Sequence, residues 1–204
     1  ADPDLRRYDT LIIDEAHDPL NEHPFKGNVD IVKLEKLVKK HGAKKIPYVC
    51  VATNVNMAGG QPVSMANLKE LRAFTKKHGI RIIHDMTRVA ENAYFIQQRE
   101  KGYEKKSIQQ IVKEICSYTD GATMSAKKDA LVNIGGFMAI NDWDVFEEAR
   151  NLVVVYEGLH TYRKQKRRDI EAIAVGIVES LNDNKQRACV VAVLKKKKKM
   201  LEYN

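Results

Sequence analysis

The stretch His78–Ile96, "HGIRIIHDMTRVAENAYFI", decides the fold class. A helical pattern ends at His78. Gly79 then supplies the residue that adopts a left-handed cap without a Cβ clash. Ile80–His84 reads as a strand that begins directly after this stop, and Asp85 stands at its carboxyl end. From there the pattern returns to helix through Gln98. A helix, a strand and a second helix joined by such short turns form the repeating unit of an α/β protein.

The same alternation extends outward. Upstream, a helix from about Ser64 to His78 follows the turn "MAGGQPVS". Ile46–Ala52 is a mostly apolar run, of the kind buried on both faces of a sheet. Val29–His41 places Ile31, Leu34, Leu37 and Val38 on one helical face, and Tyr8–Asp14 reads as a strand. Downstream, Ser107 and Gln110 have the spacing of a capping box that opens a helix to about Tyr118. Gly121–Ser125 and Leu131–Ile140 read as strands, and helices follow from about Asp144 and over Asp169–Leu181. The expected architecture is a mostly parallel sheet flanked by helices. Residues 1–182 form that core, and 183–204 form a basic tail expected to lack regular structure.

Composition narrows the partners. A 44% hydrophobic, 30% charged chain is typical of a soluble globular protein, and its longest apolar runs are far too short to span a membrane. No basic-then-apolar leader opens the chain. Cys50, Cys116 and Cys189 are widely spaced and odd in number, which points to reduced thiols in the cytoplasm. Ten of the cations behind the net charge of +8 lie in Arg163–Arg168 and Lys195–Lys199, so the remainder is slightly acidic. That distribution excludes a nucleic-acid face spread over the domain.

In an open α/β sheet, ligands bind beyond the carboxyl ends of the strands. Asn56 follows the strand ending near Ala52, Asp85 and Arg88 follow the strand Ile80–His84, and Ser125, Lys127 and Lys128 follow the strand from Gly121. An amide, a carboxylate, a guanidinium, a hydroxyl and two lysines suit pyridoxal phosphate. That cofactor takes a lysine amine in Schiff-base linkage and a carboxylate opposite its pyridine nitrogen. An ammonium at Lys127 disfavours a second charge beside it, which favours the free amine of Lys128. The same residues also have plain readings: "KKD" as a solvated turn, Asp85 with Arg88 as a helix-start ion pair, and Asn56 as a turn residue.

Four blocks, "NVNMAGGQPVSMANL", "HDMTRVAENAYFI", "TMSAKKDALVNIGGF" and "VVVYEG", resemble in order and spacing the β-eliminating lyases, the family of tyrosine phenol-lyase and tryptophanase. The likeness runs from about Asp14 to Gly176. It implies the large domain of the aspartate-aminotransferase-like, fold type I pyridoxal-phosphate enzymes, a homotetramer and activation by a monovalent cation such as potassium. Carried over by the resemblance, Lys128 is the Schiff-base lysine and the base for the α-proton, and Asp85 is the partner of the pyridine nitrogen. Arg88 and Asn56 face the ring hydroxyl, Ser125 and Lys127 contact the phosphate, and the Asn133 carbonyl helps bind the cation. The implied reaction is cleavage of an aromatic amino acid, tyrosine to phenol or tryptophan to indole, with pyruvate and ammonia. "DEAHD", "VNIGGF", "VVVYEG" and "RRDIEA" resemble the tyrosine-cleaving members more closely, whereas "SAKKDA" resembles the tryptophan-cleaving ones.

The chain departs from the family where a glycine-rich stretch is replaced by "HTYRKQKRRD". By the resemblance, the family's phosphate loop and ring-stacking aromatic precede the first residue here. The small domain with its carboxylate-binding arginine follows the last. A catalytically inactive core is therefore a second reading. A third, a helicase-like protein, rests on "LIIDEAHD" at Leu11–Asp18, but the Gly-x-x-x-x-Gly-Lys-[Ser/Thr] loop that such a motor needs does not occur in these residues.

Overall fold

In a computed structural model, which describes residues 10–55, 58–157 and 167–201, helices and strands alternate as their local signals direct. The order is α1 (Ile31–His41), β1 (Tyr48–Ala52), α2 (Met65–His78), β2 (Arg81–Asp85), α3 (Val89–Arg99), α4 (Ile108–Ser117), β3 (Gly121–Ser125), β4 (Gly136–Ile140), α5 (Trp143–Glu157), α6 (Arg167–Ser180) and α7 (Asp183–Leu201). Side chains cap the early helices. Asp30 accepts from the Lys33 N–H, Ser64 from that of Asn67, and Ser107 forms the full capping box with Gln110. Gly79 ends α2 at φ 66° and ψ 26°, the left-handed conformation its position requires.

The four strands form one sheet in the order β1-β2-β3-β4. The first three are parallel, with Ala52 opposite Asp85 and Asp85 opposite Thr123, so their carboxyl ends stand side by side. β4 runs antiparallel to β3, with Ser125 opposite Gly136. A parallel return needs a long crossover, usually a helix, and the link from 126 to 135 is too short to provide one. The sheet is thus mixed and mostly parallel, as expected. Leu34 of α1, Val51 of β1, Leu71 of α2, Ile82 of β2, Ile96 of α3 and Ile111 and Ile115 of α4 are fully buried in one core. Each such side chain contributes roughly 1.5–3 kcal/mol on leaving water.

Three expectations are corrected. Within Tyr8–Asp14, among the described residues only Ile12 pairs, in an isolated antiparallel bridge to Val29, and Asp14–His17 is a 3-10 turn. Hydrogen bonds Ile13 N–H to Asn28 O (3.1 Å) and Asp30 N–H to Leu11 O (2.7 Å) draw this segment to the start of α1 instead of into the sheet. The strand expected from Leu131 begins at Gly136, because Leu131 lies at φ 53° in a loop closed by Val132 N–H to Ala126 O. After Asn182 the chain continues as helix α7. Gln186 donates to the Ser180 carbonyl (2.8 Å), Asp183 accepts from the Ile108 N–H (2.8 Å), and Val190 is buried. The run Arg163–Lys166 lies outside the described residues, whereas Arg167 and Arg168 open α6.

Candidate active site

The turn after β2 is stitched to both neighbouring strand ends. On one side the Arg88 N–H donates to Thr53 O (3.1 Å) and the Thr53 N–H donates to Asp85 O (3.2 Å), just past the end of β1. On the other, the Met86 N–H donates to Thr123 O (2.8 Å), and the Ser125 N–H donates to the Thr87 hydroxyl (3.1 Å). Asp85 and Ser125, both half-buried, and the backbone of Arg88 are thereby fixed around one point at the carboxyl edge of the sheet. The Asp85 carboxylate folds back to accept the Thr87 N–H (3.0 Å). Thr87 thus orders two expected residues, a role its unremarkable place in "HDMTR" does not advertise.

Arg88 is not the ion-pair partner of Asp85. Its guanidinium lies 3.9 Å from Glu91, one turn on, and its buried Nε has no hydrogen-bond partner among the described residues. Among the described residues, the buried Asn54 amide likewise has no partner for either polar atom. Beneath the site, His84 is fully buried, with Nε2 2.8 Å from the Thr53 hydroxyl. Burial drives its ring pKa down to about 4, which Asp85 only partly opposes. His84 is therefore neutral at physiological pH.

Lys127 and Lys128 are both exposed and occupy the tight turn after β3, closed by Leu131 N–H to Lys128 O (3.0 Å). With Arg88, Glu91 and Asp129 they line a crevice of about 340 Å³ whose far wall is Lys185, Gln186, Cys189 and Val190 of α7. Asn133 is exposed in the following loop, and Asn56 lies outside the described residues. The residue after Lys128 is the one that the plain reading of "KKD" as a solvated turn leaves out. One Asp129 carboxylate oxygen accepts the N–H groups of Ala90 (2.7 Å) and Glu91 (3.3 Å) at the start of α3. Burial pushes its carboxyl up to about 6, against the pull of those two N–H groups and of Arg88. Met124, Ala126, Ala130 and Ile173 pack beneath the turn, so α6 buttresses it.

The "DEAH" residues are remote from this constellation. Asp14 pairs with Lys33 (2.5 Å), and no cluster of three or more His, Cys, Asp or Glu suited to a metal occurs among the described residues. Nor is any described helix long and apolar enough to cross a membrane.

Comparison with known proteins shows the family to which the chain belongs. The family model described as beta-eliminating lyase matches residues 7–200. Tyrosine phenol-lyase of Nostoc punctiforme is 58% identical over 95% of this chain and 41% of its own length. Those of Symbiobacterium thermophilum (59%, covering 85% and 38%) and Pasteurella multocida (56%, covering 84% and 38%) are similar to it in the same way. The chain spans about two fifths of the length of these curated relatives.

Proposed function

Because the chain belongs to the β-eliminating lyase family, we propose that it is the pyridoxal-phosphate-binding core of a carbon–carbon lyase that converts tyrosine and water to phenol, pyruvate and ammonia. The observation that carries this reading is the stitched edge of the sheet. Backbone and hydroxyl bonds from Thr53, Thr123 and Thr87 hold Asp85, Arg88 and Ser125 on adjoining strand ends.

The residues present fit the cofactor. Asp85 offers a half-buried carboxylate, Arg88 has a buried Nε with no partner among the described residues, and Ser125 is a half-buried hydroxyl. The accessible amine of Lys128 lies three residues past Ser125. When bound, pyridoxal phosphate supplies an electron sink for the bonds at the substrate's Cα. In this reading Asp85 holds a proton on the pyridine nitrogen, and Arg88 and Asn56 donate toward the ring hydroxyl. Ser125 and Lys127 neutralise the phosphate. Lys128 would hold the cofactor through its amine and would serve as the base for the Cα proton. The Asn133 carbonyl is a ligand for potassium, and the assembled enzyme is a cytoplasmic homotetramer. Tryptophan, giving indole, is the alternative substrate.

The test has two parts. Adding pyridoxal phosphate should give a visible absorption band, and borohydride should then fix the label on Lys128. An unchanged band in Lys128→Ala overturns the assignment. Pyruvate release from tyrosine against tryptophan then decides the substrate, and release from neither supports an inactive core.

A further inference from the structure

The first N–H groups of any helix have no partner within it. α1, α2 and α4 each satisfy one with a local capping residue, Asp30, Ser64 and Ser107. α3 does not: the residue at its capping position is Arg88, whose side chain makes no capping bond. The need is met from 39 residues away, by the Asp129 carboxylate on the N–H groups of Ala90 and Glu91. This one carboxylate joins two pieces of the site, for Asp129 directly follows Lys128 in the chain and Ala90 comes two residues after Arg88.

We propose that Asp129 is a positioning residue that holds the Lys128 turn against the start of α3 and so fixes the candidate amine relative to Arg88. Remote carboxylates cap other helices here, Glu100 on Met65 and Ala66 and Asp183 on Ile108. The Glu100 cap uses the far end of α3 and the Asp183 cap joins α7 to α4, whereas the Asp129 cap ties the turn that carries Lys127 and Lys128 to the helix start beside Arg88. Exposed lysine side chains have many rotamers, and what fixes the amine is the backbone beneath it. A displacement of about 1 Å at a reacting group costs up to about a hundredfold in rate. The inference rests on Lys128 being the cofactor lysine.

The experiment compares the full chain with Asp129→Asn, Asp129→Glu and Lys128→Ala. Two readouts are followed: amide exchange at Ala90 and Glu91 without cofactor, and the rate of borohydride-fixed labelling of Lys128 by pyridoxal phosphate. Asp129→Asn is expected to speed exchange about fivefold, the effect of losing one cap, and to slow labelling at least about tenfold. Lys128→Ala should abolish labelling at that position and leave exchange unchanged. Asp129→Glu keeps the charge on a longer tether and should label at an intermediate rate. Faster exchange with a parental labelling rate in Asp129→Asn makes Asp129 a helix cap only and overturns the proposal. If Asp129→Asn does not fold, a parental labelling rate in Asp129→Glu overturns it. Failure of the parent to label at Lys128 overturns the cofactor-lysine reading, and the proposal falls with it.

Discussion

The Thr53 hydroxyl and His84 Nε2 lie 2.8 Å apart, both buried, and tie the residue that follows β1 to β2. Burial holds the folded pKa of His84 at about 4, against 6.5 unfolded, so between these values the unfolded chain binds more protons. Stability contributed by neutral His84 is therefore complete above about pH 7 and is lost as pH falls through 6.5 toward 4. From pH 7 to pH 5 this amounts to about 2 kcal/mol. Asp129 works in the opposite sense. With its folded pKa raised to about 6, the folded state binds more protons between 3.8 and 6 and gains stability on the same acidification. Denaturant unfolding at pH 7 and pH 5 should show His84→Asn keeping more of its stability than the parent on acidification. Identical pH dependence would mean that His84 is not held neutral.

Arg72 of α2 grips Asp120 with two hydrogen bonds, 2.6 and 2.9 Å, and the same carboxylate accepts the Ile82 N–H (2.8 Å). Burial works to raise the Asp120 pKa, but Arg72 and the Ile82 N–H together overcome it and hold the carboxyl below its usual value. The stabilisation is present above the unfolded value of 3.8 and is lost as pH falls below it. Asp120→Asn should cost about 2 kcal/mol, and Arg72→Lys most of that, because an ammonium cannot make the paired contact. Urea midpoints at pH 7 measure both. An Arg72→Lys midpoint equal to the parent's would show that the two-pronged geometry contributes nothing.

Local signals made the elements legible. Gly79, the Ser107–Gln110 capping box and the apolar spacing of α1 each act within a few residues, and the corresponding helix ends fall where those residues put them. The places of Asp85, Arg88 and Ser125 in the fold were legible because the ends of β2 and β3 follow from local pattern. What escaped was non-local. Asp129 reaches back 39 residues, Thr53 pairs with His84 across 31, and α7 docks through Asp183, 75 residues from Ile108. The Tyr8–Asp14 pattern misled for a related reason: its apolar residues have a partner, but it is the segment before α1.

Gly176 of α6 faces the carbonyl oxygen of Ala130, and a Cβ at that position would overlap it. Gly176→Ala must push α6 off the Lys128 turn or displace the turn itself. Overpacking of this kind costs about 1–3 kcal/mol. The expected result is a lower thermal midpoint together with slower cofactor labelling at Lys128. A drop in midpoint with parental labelling would mean that α6 moves and the turn stays.

Asn92 of α3 acts as a peptide group for Val63: its Oδ1 accepts the Val63 N–H (2.8 Å), and its Nδ2 donates to the Val63 carbonyl (2.9 Å). Asn92 and Val63 are both fully buried, so no water can replace either bond. The segment so anchored leads from the "MAGGQPV" turn into α2. Asn92→Ala leaves a buried donor and a buried acceptor unmet, at about 1–3 kcal/mol each. Asn92→Asp keeps the acceptor but sets a second oxygen against the Val63 carbonyl, so it should be the less stable of the two near neutral pH and recover as the carboxyl protonates. Guanidinium unfolding of the two variants across pH 4–8 gives the comparison. If Asn92→Asp is as stable as the parent at pH 7, the amide is not bridging Val63.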